Sequence, residues 1–177
     1  MVRIIRQADA HSRNETRSLL QSIFTAELVQ PSQEFWLTSP WISDIPIIDN
    51  RAMSFDIGEQ WGPSEIPLSK VLVAMARHGS WIKIITTKDP KNNEFLGRLD
   101  SEKNQRRVQN QISIHFDDDE RLHEKAVVGD DFVIDGSMNF TFFGLLIRRE
   151  RVNFDADSQR VAQVRLEMRG DYGGRND

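Results

Sequence analysis

Apolar positions recur with helical spacing in two places near the front of the chain. Leu19, Leu20, Ile23, Phe24 and Leu28 form one stripe, and Leu68, Val71, Leu72 and Met75 form another at i, i+3, i+4 and i+7. Ser12-x-x-Glu15 reads as a capping box ahead of the first, which Pro31 closes. Pro67 starts the second, and Gly79 lies past its end. Asn92 to Gln109 predicts a third helix, polar except for Phe95, Leu96 and Leu99. Asp157 to Arg169 predicts a fourth, with Val161, Val164, Leu166 and Met168.

Short apolar or alternating runs separate these helices and read as strands. They are Phe35 to Thr38, Trp81 to Thr87, Ile112 to Phe116, His123 to Val128, Phe132 to Ile134 and Arg148 to Phe154. Ser39-Pro40-Trp41-Ile42-Ser43-Asp44 is a loop, and the mixed stretch from Asp44 to Pro63 reads as an irregular excursion. The tail from Gly170 reads as loose. Strands alternating with helices predict an α/β fold, a mixed β-sheet with helices on both faces. The expected organisation is one domain over residues 1–177.

Composition narrows the function classes. The 177 residues include no cysteine, which excludes disulfides, thiolate metal sites and a cysteine nucleophile, and fits a cytoplasmic protein. No apolar run approaches the roughly 20 residues that span a bilayer. The Met1-to-Arg6 start is too short and too charged for a signal peptide. The formal charge of −4 argues against coating nucleic acid by bulk charge but leaves a local phosphate site open.

The chemistry concentrates in His123-Glu124-Lys125-Ala126-Val127-Val128-Gly129-Asp130, followed by Gly136-Ser137-Met138-Asn139-Phe140-Thr141. Residues two apart on a strand share a face, so His123 and Lys125 project together. An imidazole beside an ammonium suits phosphate chemistry: one attacks or moves protons, the other holds anionic oxygens. Gly136 and Ser137 allow a tight turn, and Asn139 offers an amide donor.

At these residues the sequence resembles the phospholipase D superfamily. His123, Lys125 and Asp130 keep the His-x-Lys, four residues, Asp spacing, and Gly136, Ser137 and Asn139 follow. Asn139-Phe140-Thr141-x-x-Gly144-Leu145 and the later acid Glu150 extend the likeness. Two departures stand out. Arg148 occupies a position where many members carry Asn. The gap before Gly136 is about one residue short, so Asp131 could take the place of Asp130.

The resemblance implies a phospholipase D-like fold and a phosphodiesterase that needs no metal or other cofactor. One histidine becomes a phosphohistidine and another protonates the leaving oxygen. His11, His78 and His115 stand outside any His-x-Lys, so a complete site implies a homodimer. In that reading both His123 copies act, Lys125 and Asn139 hold oxygens, and Ser137 and Glu150 orient His123. Asp130 belongs to the motif but suits an ion pair better than a chemical step. The resemblance favours a nuclease acting on DNA or RNA, without a membrane. The charge deficit points to partner proteins, as in small members beside DNA-modification and anti-phage systems. The alternatives are a lipid-headgroup phosphodiesterase and an inactive phosphodiester-binding or scaffold subunit.

Other side chains have plainer readings beside functional ones. Trp36 and Trp81 read as core; Trp41 and Trp61, in loops, could face a ligand or the partner subunit, and Trp41 joins the substrate-binding set. Arg98, Lys103, Arg106 and Arg107 could track a backbone but also read as a solvated helix face. His115 with Asp117-Asp118-Asp119-Glu120 reads as a strand end and solvated turn rather than a metal site, and Asp89-Pro90-Lys91 as a plain turn.

Overall fold

The computed structural model describes residues 2–53, 61–117 and 121–173. Along the chain run β1 (Val2–Arg6), α1 (Ala10–Val29), β2 (Glu34–Thr38), β3 (Pro46–Asp49), β4 (Glu65–Pro67), α2 (Leu68–Arg77), β5 (Trp81–Thr86), α3 (Asn93–Arg106) and β6 (Ile112–Phe116). Then come β7 (Ala126–Val128), β8 (Val133–Gly136), α4 (Phe142–Leu146), β9 (Arg151–Asp155) and α5 (Ser158–Tyr172). Seven strands form one sheet in the order β1-β9-β8-β7-β2-β5-β6. Strands β2, β5 and β6 are parallel, and the remaining pairings are antiparallel, so the sheet is mixed as expected.

Alternate side chains of the central strands feed two cores. Phe35, Leu37, Ile82, Ile84, Val127 and Ile134 pack under α1, α2 and α3. Trp36, Ile85, Ala126, Val128 and Val133 meet Val161, Val164 and Met168 of α5 on the other face. Helices therefore lie on both faces, four on one and α5 alone on the other.

Several boundaries differ from the sequence reading. The first helix starts earlier: Asp9 is its N-cap, accepting from the Ser12 N–H at 2.9 Å while the Asp9 N–H donates to Ser12 Oγ at 3.1 Å. Ser12 is thus the third residue of the box, not its cap. Strand β1 was not expected, because only Ile5 of its five residues is buried. Within the Asp44-to-Pro63 excursion and just beyond it, β3 and β4 pair as a small hairpin. Helix α5 runs through Tyr172, so residues 170–172 are helical rather than loose, and residues 174–177 lie outside the described part.

Candidate active site

One end of the sheet gathers the chemistry, and strand register puts it there. Ala126 pairs with Thr38 on one side and Asp135 on the other. Continuing that register sets Lys125 beside Ser39 and Gly136. Gly136 pairs with Val152, and the Ser137 N–H donates to the Arg151 carbonyl at 3.0 Å. Glu150 precedes β9, and its carbonyl accepts from the Gln7 N–H at 2.8 Å. The Ser39–Trp41 loop, Lys125, Ser137, Asn139 and Glu150 therefore share one end of the sheet.

The expected strand from His123 is shorter than predicted. The ladder begins at Ala126, and His123 and Lys125 lie in the segment ahead of it. Alternation persists there nonetheless: Leu122 joins Ala126 and Val128 in the α5-side core, and Lys125 follows the parity of Val127, which packs on the other side. Lys125 Nζ donates to the His123 carbonyl. Burial pushes the Lys125 ammonium below its ordinary pKa, and the nearby Glu150 carboxylate pulls the other way. The His123 ring is exposed and makes no hydrogen bond among the described residues.

Ser137 and Glu150 come together. Ser137 Oγ donates to Glu150 Oε2 at 2.5 Å and accepts from the Arg151 N–H at 3.0 Å. The pair orders the entry to β9, and neither member reaches the His123 ring. Glu150 itself lies just ahead of the strand, which spans Arg151–Asp155 rather than starting at Arg148.

Gly136 is fixed by its backbone. At φ +148 an added Cβ would sit 2.0 Å from the Arg151 carbonyl oxygen. Gly144 has the same function for the next turn, where a Cβ would meet the Asn139 carbonyl oxygen at 2.3 Å. Thr141 caps α4 by accepting from the Gly144 N–H at 3.1 Å, and its own N–H donates to the Asn139 carbonyl at 2.8 Å. This turn buries Asn139 to 7% exposure. Its Oδ1 lies 3.3 Å from Ser39 Oγ, which leaves the amide nitrogen as a donor with no partner among the described residues.

Asp130 lies elsewhere, on the turn at the opposite end of β7. Its Oδ2 accepts from the Gln33 N–H at 2.7 Å, its N–H donates to Ser32 Oγ at 2.8 Å, and Oδ1 pairs with Arg165. It ties that turn to β2 and α5, the ion-pair role that its chemistry suggests. Trp41 lies at the site's edge, where its Nε1–H donates to Asp89 Oδ2 at 2.9 Å and Lys91 Nζ stands 4.3 Å from its ring centre. Asp89-Pro90-Lys91 is a plain turn, with the Lys91 N–H donating to Asp89 Oδ1 at 2.8 Å. Trp36 is core, but Trp81 is only half-buried, and Trp61 packs partly against the core. In the α3 cluster Arg98 pairs with Glu94 at 2.8 Å and Lys103 with Asp100 at 3.1 Å, as a solvated face does. His115 meets the Tyr172 ring edge-on, and residues 118–120 of the acidic turn lie outside the described part.

Two positioning residues carry no motif. Asn92, fully buried, accepts from the Ile42 N–H at 2.8 Å and donates toward the carbonyls of Pro40 (2.9 Å) and Thr87 (3.0 Å). It fastens the Ser39–Trp41 loop to the end of β5. Gln7, also buried, places its side-chain nitrogen against the carbonyls of Gly144 (3.0 Å) and Arg148 (3.3 Å), and its oxygen accepts from Thr16 Oγ1 at 3.2 Å. It locks α4 and the Glu150 approach to α1.

One end of the mixed sheet thus carries an imidazole and an ammonium beside a serine, an asparagine and a glutamate, groups able to hold and attack a phosphodiester. A family model described as "Cardiolipin synthase, PLD-like domain" matches residues 25–172, and the chain belongs to this phospholipase D-like family. Among solved structures it is similar to Nuc from Salmonella typhimurium, a phospholipase D family member: 15% identity, 97% of this chain and 92% of that one, TM-score 0.61. It is similar to NucT from Helicobacter pylori at 12% identity over 96% and 94% of the two chains, TM-score 0.63. The archaeal chromatin protein TrmBL2, described as showing a novel mode of DNA binding, matches 97% of this chain and 51% of its own at 14% identity, TM-score 0.54. Among curated proteins no similar sequence was found. Among the described residues no helix is long and apolar enough to cross a membrane.

Proposed function

We propose that the protein is a metal-independent nuclease that cleaves DNA or RNA through a phosphohistidine at His123, in a site shared by two copies of the chain. The observation that carries this reading is the gathering of Lys125, Asn139, Ser137 and Glu150 beside the His123 segment at one end of the sheet. His123 attacks phosphorus while the second copy's histidine gives a proton to the leaving oxygen; water then releases the phosphate. Lys125 and the free Asn139 amide hold the non-bridging oxygens. The Ser137–Glu150 pair orders the entry to β9, and the Glu150 carboxylate favours the charged form of Lys125.

Two features support the second copy. The chain has one His-x-Lys, and α4 beside the site exposes Phe142 (50%), Phe143 (60%) and Ile147 (54%). An apolar face of this kind is one that a second copy would cover. The test is cleavage of single- and double-stranded DNA and RNA in excess EDTA, with the mass measured in solution. EDTA-resistant cleavage by a dimer is expected. Dependence on a divalent ion, release of headgroups from phosphatidyl vesicles instead, or activity from a strict monomer would each refute it.

The pH profile carries a second expectation. Lys125 must be charged to hold phosphate oxygens, and burial lowers its pKa from 10.5. The alkaline fall in oligonucleotide affinity, read in the His123→Ala protein, should therefore lie below pH 10.5. Glu150 opposes the burial, so Glu150→Gln removes a raising influence and should move that fall to still lower pH. A limb that stays put or moves upward in the variant contradicts the assignment of Lys125.

A further inference from the structure

The chain is acidic overall, yet the ground beside the candidate site is basic. A depression of about 360 Å³ adjoins Ser137 and Glu150 and is lined by Arg6, Arg149 and Arg151. Among the described residues Glu150 is the only carboxylate lining it, and that group is held by the Ser137 hydroxyl. Arg6 and Arg149 make no side-chain hydrogen bond or ion pair among the described residues. Arg151 commits only Nε, to Asn153 Oδ1 at 2.9 Å.

Strand register makes this arrangement physically odd. Arg6 and Arg151 are direct partners across the antiparallel β1–β9 pair. Like charges set opposite each other in a sheet repel and destabilise the pairing. Several arginines elsewhere have counter-charges: Arg3 pairs with Glu15, Arg17 with Glu65, and Arg165 and Arg169 with Glu34. A local rule broken without a structural compensation marks a functional position. The missing compensation is an anion, and the depression that would hold it adjoins the Ser137–Glu150 pair.

We infer that Arg6, Arg149 and Arg151 form a track for the phosphates that flank the scissile bond of a nucleic-acid strand. This rests on the nuclease reading and adds the path by which the strand runs, over the β1–β9 edge and away from α3. It also answers the charge deficit: three guanidiniums concentrated at the site hold an anionic strand that the chain as a whole repels. Guanidiniums suit the task because each offers a planar fork of donors to phosphate oxygens.

The test separates binding from cleavage. A fluorescent single-stranded DNA oligonucleotide is titrated by anisotropy against the His123→Ala protein, across a series of salt concentrations. Adding Arg6→Gln and Arg149→Gln to that background should weaken binding about 10-fold and flatten the log–log salt slope by about 1.4, two phosphate contacts at roughly 0.7 each. Arg106→Gln with Arg107→Gln, on α3 and its C-cap, should leave both unchanged. Thermal melting should show the Arg6/Arg149 variant at least as stable as its parent, because a repulsion is relieved. Equal affinity and slope in parent and variant would overturn the track while leaving EDTA-resistant cleavage intact. Loss of binding on the α3 pair instead would place the track there. Binding of phosphatidylglycerol vesicles with no binding of the oligonucleotide would overturn the track and the nuclease reading together.

Discussion

His123→Ala should lower EDTA-resistant cleavage by roughly 10⁴-fold or more, because it removes both the nucleophile and the proton donor from a shared site. Ser137→Ala and Glu150→Gln should cost less, on the order of 10²-fold, since they act through the β9 entry and the charge beside Lys125 and do not touch the imidazole. The variant should fold normally, because the His123 ring is exposed and engages nothing among the described residues. A mixing experiment adds the decisive readout. If each site needs one histidine from each copy, a mixed dimer is inactive at that site. Wild-type protein equilibrated with excess His123→Ala should then lose activity as the square of its mole fraction. A loss in simple proportion would mean that each chain works alone. Residual activity near the wild-type level in the pure variant would sink the phosphohistidine mechanism, and no cleavage by either protein would favour the inactive-scaffold reading.

Much of the candidate site is legible in the sequence. The His123-x-Lys125 and Gly136-Ser137-x-Asn139 spacings carry chemistry in residue types that bland surfaces seldom combine. Helix α2 was legible because its stripe is apolar and its ends are marked by Pro67 and Gly79. Elements without a stripe were not. Strand β1 is an edge strand whose outward Val2 and Ile4 spoil the alternation, and α4 has only five residues. Helix α1 showed its stripe but not its true cap, since Ser12 fits either place in a capping box. The strand assigned from His123 overran because alternation of faces continues past the last ladder hydrogen bond. The least legible residues were Asn92 and Gln7. Their partners lie far along the chain: Pro40 and Ile42 stand 52 and 50 residues from Asn92. A buried amide that binds distant carbonyls looks, in one dimension, like any polar residue in a turn. Asp130 shows the converse. Its spacing fits a motif, yet its contacts with Gln33, Ser32 and Arg165 are architectural.

Asn92→Ala should destabilise the fold by about 2–4 kcal/mol, although no motif includes this residue. The side chain is fully buried, so its loss leaves a small cavity and strips the Ile42 N–H of its acceptor. The Pro40 carbonyl keeps partial compensation from Thr87 Oγ1 at 2.9 Å, but the Ile42 N–H has nothing in its place. An orphaned buried donor carries its full desolvation penalty, which exceeds the net worth of the bond itself. For a chain of this length the midpoint of thermal unfolding should fall by roughly 4–16 °C. Asn92→Asp discriminates the cause. It keeps an acceptor for Ile42 but turns an oxygen toward the Pro40 and Thr87 carbonyls. Burial and those carbonyls favour its neutral acid, so its folded pKa is raised, and stability gained at acid pH is lost as pH rises through that pKa. The Asp variant should therefore approach wild-type stability at low pH and fall behind near neutrality, while the Ala variant shows no such recovery. Below its melting point Asn92→Ala should also lose catalytic rate, because Pro40 and Trp41 carry the Ser39 hydroxyl that lies against Asn139. A midpoint within about 1 °C of wild type would show that the Ser39–Trp41 loop is held by other means and that Asn92 does not position the site.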